Sequence, residues 1–215
     1  MGRRADHTAE ELRRLALDAA RTIVSEQGLR SLTTRGIAKV IGYTSGTLYQ
    51  LFENFDDLVQ EMNAETIDQL RIRCERVDMS EGPSRSLRSL AEEYADFTSR
   101  HAMLWNALFE LKLPLGHPRN EKYQTSVRLM LNVVERAIAP LFRPGEERAR
   151  LHDVRLLWAW LYGISALASG GRLHEEETVA DMTQTVIDIY VAARLKHAPS
   201  PSARKSRAAN SAKRH

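Results

Sequence analysis

Residues 32–52 of this 215-residue chain, LTTRGIAKVIGYTSGTLYQLF, hold two short helical patterns on either side of a glycine, and their reading decides the fold. Thr33 suits the N-cap of a helix whose inner side is Ile37, Ala38 and Ile41, the spacing of one helical face. Gly42 ends that helix, because a left-handed backbone costs glycine little. Thr44 is placed to cap a second helix, in which Leu48 and Phe52 lie four residues apart and face inward. Ser45, Thr47, Tyr49 and Gln50 are left on its other faces, and Gly46 allows close approach of a neighbouring backbone, whether protein or phosphate. A helix, a short turn and a second helix exposing hydroxyls, an amide and a phenol make the pattern of a helix-turn-helix. An ordinary corner between two helices fits the same residues, and the segment alone leaves both readings open.

A support helix precedes it. Thr8 and Glu11 form a T-x-x-E capping box, and Leu12, Leu15, Ala16, Ala19, Ala20, Ile23 and Val24 make an apolar face running to about Gln27. Gly28 stops this helix, and Leu29 and Leu32 can pack under the corner. Arg3 and Arg4 stand ahead of it, either as a basic arm for a phosphate or minor groove or as a frayed, soluble terminus.

After Phe52, Asn54 and Asp57 cap a helix to about Val77 in which Leu58, Met62, Ile67 and Leu70 are set among many charges, the look of a half-exposed connector. Gly82 and Pro83 break the chain. Apolar positions from Leu87 to Phe109 recur at helical spacing with a step near Arg100 to Ala102, and Leu113 to Pro118 ends the run. Further helices are expected over about 120–142, 146–172 and 179–196, the last with Val179, Met182, Val186, Ile189, Tyr190 and Ala193 on one side. No segment alternates at period two for long, so the fold class is all-α. Residues 198–215 are rich in Pro, Ser, Ala and basic groups, without a large apolar side chain, and are expected to be a disordered tail. Its Arg204, Lys205, Arg207, Lys213 and Arg214 would either add sequence-independent affinity for nucleic acid or simply solubilise.

Charge is uneven. Residues 1–52 carry eight Lys/Arg and five Asp/Glu, residues 53–198 eighteen and twenty-three, and residues 199–215 five and none. A basic head on an acidic body fits a polyanion-binding module. No apolar run approaches the roughly 18 residues of a membrane span and the amino terminus lacks a signal-peptide core, so no membrane partner and a cytoplasmic location are expected. Cys74 is the single cysteine, which excludes an intrachain disulfide or thiolate cluster. His101, His117, His152 and His174 lack metal-site spacing, and there is no nucleophile with a base, no paired catalytic carboxylates and no phosphate loop. Neither an enzyme, a metal nor a cofactor is expected.

The order of capped helix, Gly-Leu, LTTRGIAKVIG, GTLYQLF and a capped F-x-x-L helix resembles the TetR/AcrR family of bacterial transcriptional regulators, with Thr33, Ile37, Ala38, Gly42, Gly46, Leu48, Tyr49, Phe52 and Leu58 in register. The WAWLYGISALASGGRL stretch is similar to the Trp-x-x-x-Gly (WHG-type) subgroup of carboxy-terminal bodies. The resemblance implies a helix-turn-helix DNA-binding domain over 1–53, a helical effector-binding and dimerisation domain over 54–197 and the basic tail over 198–215. It implies DNA contacts at Thr33, Arg35, Tyr43, Thr44, Ser45, Thr47, Tyr49 and Gln50, with Thr33, Thr44 and Tyr49 mainly on phosphate and Arg35, Ser45 and Gln50 facing bases. One departure stands out: Phe55 occupies a position where the family commonly has a phosphate-binding lysine.

In the body, Trp105, Phe109, Trp158 and Tyr162 either line an apolar ligand cavity or form ordinary core. Small residues from Ala159 to Ser169 permit close helix approach, and the family resemblance places a homodimer interface there. The expected function is a homodimeric, sequence-specific repressor of a palindromic double-stranded operator, released by an unknown small apolar or amphipathic effector. The rival is a helical adaptor that keeps the fold and acts through a protein partner.

Overall fold

The computed structural model of the chain describes residues 7–113 and 119–197. The tail, Arg3, Arg4, His117 and most of the 113–118 break lie outside the described residues. Everything regular within them is helical, as the sequence pattern predicts, and no strand occurs among them.

Helix α1 (Ala9–Gln27) opens with the capping box: the Glu11 N–H donates to the Thr8 hydroxyl at 3.2 Å, and the Thr8 N–H donates to the Glu11 carboxylate at 2.8 Å. That backbone hydrogen bond from Thr8, with a second from its hydroxyl, holds the Glu11 carboxyl below its ordinary value. Gly28 closes the helix at φ 77° and ψ 168°, a region open essentially to glycine alone. A single 3-10 turn (Leu29–Ser31) then leads to α2 (Thr34–Ile41), whose N-cap Thr33 accepts a 3.0 Å hydrogen bond from the Gly36 N–H. Gly42 ends α2 in the left-handed region, and α3 (Ser45–Leu51) follows. Helix α4 (Phe55–Cys74) starts where the Asp57 N–H donates to the Asn54 side chain at 2.8 Å.

Ala16, Leu17, Ala20, Val24, Leu32, Ile37, Ala38, Leu48 and Phe52 form one apolar core with Leu58, Val59 and Met62 of α4 and with Leu104 and Ala107 of α6 (Ala102–Glu110). Complete burial of each larger side chain stabilises by about 1.5–3 kcal/mol. On α1 the expected face shifts slightly: Leu17 is buried and Leu15 only half-buried.

The expected half-exposed connector is not what α4 forms. Leu58, Val59, Met62, Ala64, Ile67, Leu70 and Cys74 are buried, and so are Gln60, Glu61, Asn63 and Thr66. Most of their polar atoms are partnered, the Asn63 side-chain oxygen being buried without a hydrogen bond. The Gln60 side-chain oxygen accepts from the Asn120 N–H at 2.9 Å, the Thr66 hydroxyl donates to the Met62 carbonyl at 3.1 Å, and the Asn63 side-chain amide donates to the Ala107 carbonyl at 3.4 Å.

The chain divides into two compact units, Met1–Ile72 with Asp96–Met130, and Arg73–Ala95 with Leu131–His215. The remaining helices are α5 (Pro83–Arg100), α7 (Glu121–Ile138), α8 (Glu147–Ser169) and α9 (Val179–His197), so the step near Arg100 is a true helix boundary. Helix α7 stops short of Phe142 and continues as a 3-10 turn, Ala139–Leu141, that contains Pro140.

Within the second unit the Tyr94 hydroxyl donates to the Leu161 carbonyl at 3.1 Å and bonds the Ser165 hydroxyl. Buried Asp153 of α8 accepts from the Tyr190 hydroxyl at 2.8 Å and from Arg194 Nε at 2.5 Å, both on α9, and the Arg194 guanidinium caps the Phe142 ring at 4.6 Å. The inner face of α9 is Thr183, Ile187, Tyr190 and Val191, whereas the expected Ile189 and Ala193 are exposed. Helix α9 is apolar on more than one side, and periodicity cannot say which side is covered. Leu151, Tyr162 and Leu167 of α8 and Ile189 and Leu195 of α9 remain exposed in the single chain. Among the described residues no helix is long and apolar enough to cross a membrane.

Candidate nucleic-acid interface

The helix-turn-helix leaves its predicted contact residues exposed or half-buried around its apolar core. Ile37, Ala38, Leu48 and Phe52 are buried, while Thr33, Arg35, Thr44, Tyr49 and Gln50 are exposed and Tyr43, Ser45 and Thr47 half-buried. Tyr49 is 58% exposed, an unusual position for a large aromatic ring with nothing of its own chain to cover it. The set offers hydroxyls, a guanidinium, an amide and two phenols, donors suited to phosphate oxygens and base edges.

The threonines at the two N-caps differ. Thr33 uses its oxygen to accept from Gly36, which leaves its own proton for an outside acceptor. Thr44 occupies the N-cap position of α3 without capping a backbone N–H; its hydroxyl pairs instead with that of Thr47 at 3.2 Å. The expectation that Thr44 caps α3 is therefore corrected: it holds the position but not the bond.

Two residues that sequence reasoning did not single out hold this surface. The Arg13 guanidinium of α1 donates to the Leu51 carbonyl at the end of α3, lies 4.4 Å over the Phe52 ring and pairs with Glu61 of α4 through Nε at 3.0 Å. Lys122 adds a second cation to Glu61 at 2.7 Å. Burial pushes the Glu61 carboxyl up, but its bonds to Arg13 and Lys122 outweigh this and hold it below its ordinary value. The other residue is His7, whose Nδ1 lies 2.9 Å from the Tyr43 hydroxyl, 36 positions along the chain. Neither contact leaves a local signal, since both join residues far apart in sequence.

Phe55, the departure from the family pattern, packs against the apolar core of the head.

The aromatic residues proposed for a ligand do not share one compact unit. Trp105 is buried in the first, edge-on to Phe97 at 6.0 Å and to Phe109 at 6.3 Å. Trp158 is half-buried in the second and Tyr162 is 46% exposed. A cavity of about 370 Å³ in the first unit is lined by Glu61, Glu65, Asp68, Lys122, Thr125 and Ser126 among others, and has no aromatic wall. Among the described residues no group of three or more His, Cys, Asp or Glu is placed to hold a metal ion.

Comparison with known proteins supplies the relatives. Residues 16–62 match the family model described as bacterial regulatory proteins, tetR family, and residues 87–190 match that of the tetracyclin repressor-like C-terminal domain. Over 54 residues the chain is 41% identical to the HTH-type transcriptional repressor KstR2 of Rhodococcus jostii, spanning 25% of this chain and 26% of that protein. A TetR transcriptional regulator from Rhodococcus sp. RHA1 superposes with a TM-score of 0.64 at 18% identity, covering 85% of this chain and 97% of the other. Thermus thermophilus FadR, a TetR-family repressor solved in complex with lauroyl-CoA, gives a TM-score of 0.62 at 17% identity over 88% and 98% of the two chains.

Proposed function

This chain belongs to the TetR family of bacterial transcriptional regulators, and from that premise we propose that it is a homodimeric repressor whose grip on a palindromic operator is loosened by an apolar or amphipathic small molecule. The family consists of DNA-binding regulators rather than enzymes. The observation that carries the reading is the exposed and half-buried polar array from Thr33 to Gln50, held on a helix-turn-helix whose Ile37, Ala38, Leu48 and Phe52 are packed in the core of the head. In the proposed division of labour, residues 1–53 contact DNA and residues 54–197 bind effector and dimerise. Thr33, Thr44, Thr47, Tyr43 and Tyr49 hold phosphates, and Arg35, Ser45 and Gln50 face bases.

Dimerisation is supported by the exposed Leu151, Tyr162 and Leu167 on α8 and Ile189 and Leu195 on α9, large apolar side chains that a lone chain leaves in water. Two heads related by a two-fold axis would meet half-sites about one helical turn apart or somewhat more. An amphipathic effector is favoured by the fold shared with the lauroyl-CoA-bound FadR, with Trp105, Phe109, Trp158 and Tyr162 as the side chains to test. The effector acts by preferring a dimer shape that does not match the operator, and it can shift binding only by its differential affinity for the two shapes.

Footprinting of the purified protein on the DNA flanking its own gene tests the proposal. A protected palindrome at moderate salt, relieved by a hydrophobic metabolite, is expected; an absence of any protected site overturns the sequence-specific reading.

A further inference from the structure

We propose that Lys122, which lies on α7 outside the helix-turn-helix, is a positioning residue for DNA binding that fixes the end of α3 through Glu61 and Arg13; the inference rests on the DNA-binding reading above.

Helix α3 depends on what holds its ends. Its seven residues make about two turns, too few to stay helical in water without tertiary support. Thr44 gives no backbone cap at its start. At its other end the Leu51 carbonyl is one of the groups that a helix leaves without an internal partner, and the Arg13 guanidinium donates to it. A cation there also meets the negative end of the helix dipole.

Arg13 is in turn oriented by one carboxylate. Its Nε donates to Glu61 Oε2 at 3.0 Å and its Nη2 to Oε1, so the planar fork takes its direction from Glu61. Lys122 Nζ donates to the same Oε2 at 2.7 Å. One oxygen thus accepts from both cations, and the place that Lys122 gives the carboxylate decides how the fork divides between Glu61 and Leu51. Lys122 can set that place because the start of α7 is anchored on α4. The Asn120 N–H donates to the Gln60 side-chain oxygen at 2.9 Å, and the Asn120 side-chain amide donates to Asp57 Oδ1, also at 2.9 Å. All of these residues belong to the first unit.

Without Lys122 the Arg13–Glu61 pair persists, but a neutral pair replaces a net cation at the end of α3, and the carboxylate loses the contact that fixes it. The end of the helix must then be ordered at the moment of binding, which lowers affinity for DNA. Stability changes little, because Lys122 is exposed and a solvated ion pair adds little to folding.

The test uses the full chain and a duplex of about 30 base pairs enriched from a random pool with wild type, long enough for two half-sites. Wild type, Lys122→Met and Lys122→Arg are titrated with that duplex over a range of salt, alongside thermal melts. Lys122→Met is expected to bind roughly three- to tenfold more weakly while melting near wild type, and Lys122→Arg to return to within about twofold. Because Lys122 meets Glu61 and not a phosphate, the salt slope of Lys122→Met should equal that of wild type. A slope shallower by about one unit would mean a direct phosphate contact and overturn the positioning role. Wild-type affinity in Lys122→Met, or an equal loss in Lys122→Arg, overturns the role of this cation. In an Arg13→Lys background, studied below its melting transition, Lys122→Met should cost nothing more; the same loss again would overturn the route through Arg13. If wild type enriches no duplex, the DNA-binding reading itself fails, an outcome distinct from these.

Discussion

The guanidinium carbon of Arg13 sits 4.4 Å from the centre of the Phe52 ring, so the first helix of the head clamps the residue that ends its third. The same group donates to the Leu51 carbonyl and pairs with Glu61, whose side chain is only 4% exposed. One side chain thus joins α1, α3 and α4. Arg13→Ala should lower unfolding free energy by about 2–3 kcal/mol, short of the roughly 3–5 of an orphaned buried charge because Lys122 still faces Glu61. Arg13→Lys should rescue little, since an ammonium cannot stack and form a fork at once. Denaturant titration checks both, and DNA affinity should fall with stability.

Thr33 and Thr44 separate folding from binding. Thr33→Ala removes a real cap and should cost about 1 kcal/mol in stability. Thr44→Ala removes a hydroxyl bonded only to that of Thr47, so its melting temperature should stay near wild type. The same variant should bind DNA more weakly with its salt slope unchanged, because a neutral hydroxyl displaces no counterion. Equal losses of stability in the two variants would contradict the difference in their caps.

Local patterns carried most of the head: the Thr8–Glu11 box, the Thr33 cap and the Gly28 and Gly42 stops are all decided within a few residues. Helix α4 departs from the half-exposed connector its sequence suggests because polarity in a sequence does not reveal partners. Gln60 and Glu61 look like surface residues until Asn120, Arg13 and Lys122 are brought beside them. The inner face of α9 escapes the sequence for a related reason: Ile187 and Ile189 are equally apolar, and only burial in the folded unit distinguishes them. At the interface, residue types were legible, whereas the Thr44–Thr47 pair and the His7–Tyr43 contact depend on side-chain placement.

Glu65 offers a pH test. Burial raises its carboxyl above the ordinary value of 4.5; Arg21 opposes that, and Asp18 and Glu61 add to it. An acid raised in the fold opposes folding while ionised, and the loss is relieved as pH falls through its raised value. Glu65→Gln should therefore stabilise the protein at neutral pH, by less than about 1 kcal/mol given its solvent exposure, and the gain should vanish by the ordinary glutamate range. Glu61 has the opposite sign: its depressed carboxyl contributes stability above its ordinary value that is lost as pH falls through the folded one. Melting curves of Glu65→Gln, Glu61→Gln and wild type across the acid range should show the two signs.

Cys74 should be unreactive while the protein is folded. Its thiol is fully buried and pushed up to about 12, by burial first and by Glu93 second. A disulfide reagent at about pH 8 should label it only as fast as the structure opens, and at once in denaturant. Rapid labelling of the native protein would mean that α4 frays at its carboxyl end.

The core that runs past Phe52 has a practical consequence for anyone building hybrid regulators. A splice after that residue leaves Leu58, Val59, Met62, Leu104 and Ala107 on the wrong parent, and the transplanted reader then rests on a foreign seat. Exchange of specificity between homologues should succeed when the donor supplies α4 and α6 together with the first three helices, or when only the outward residues of α2 and α3 are rewritten in place.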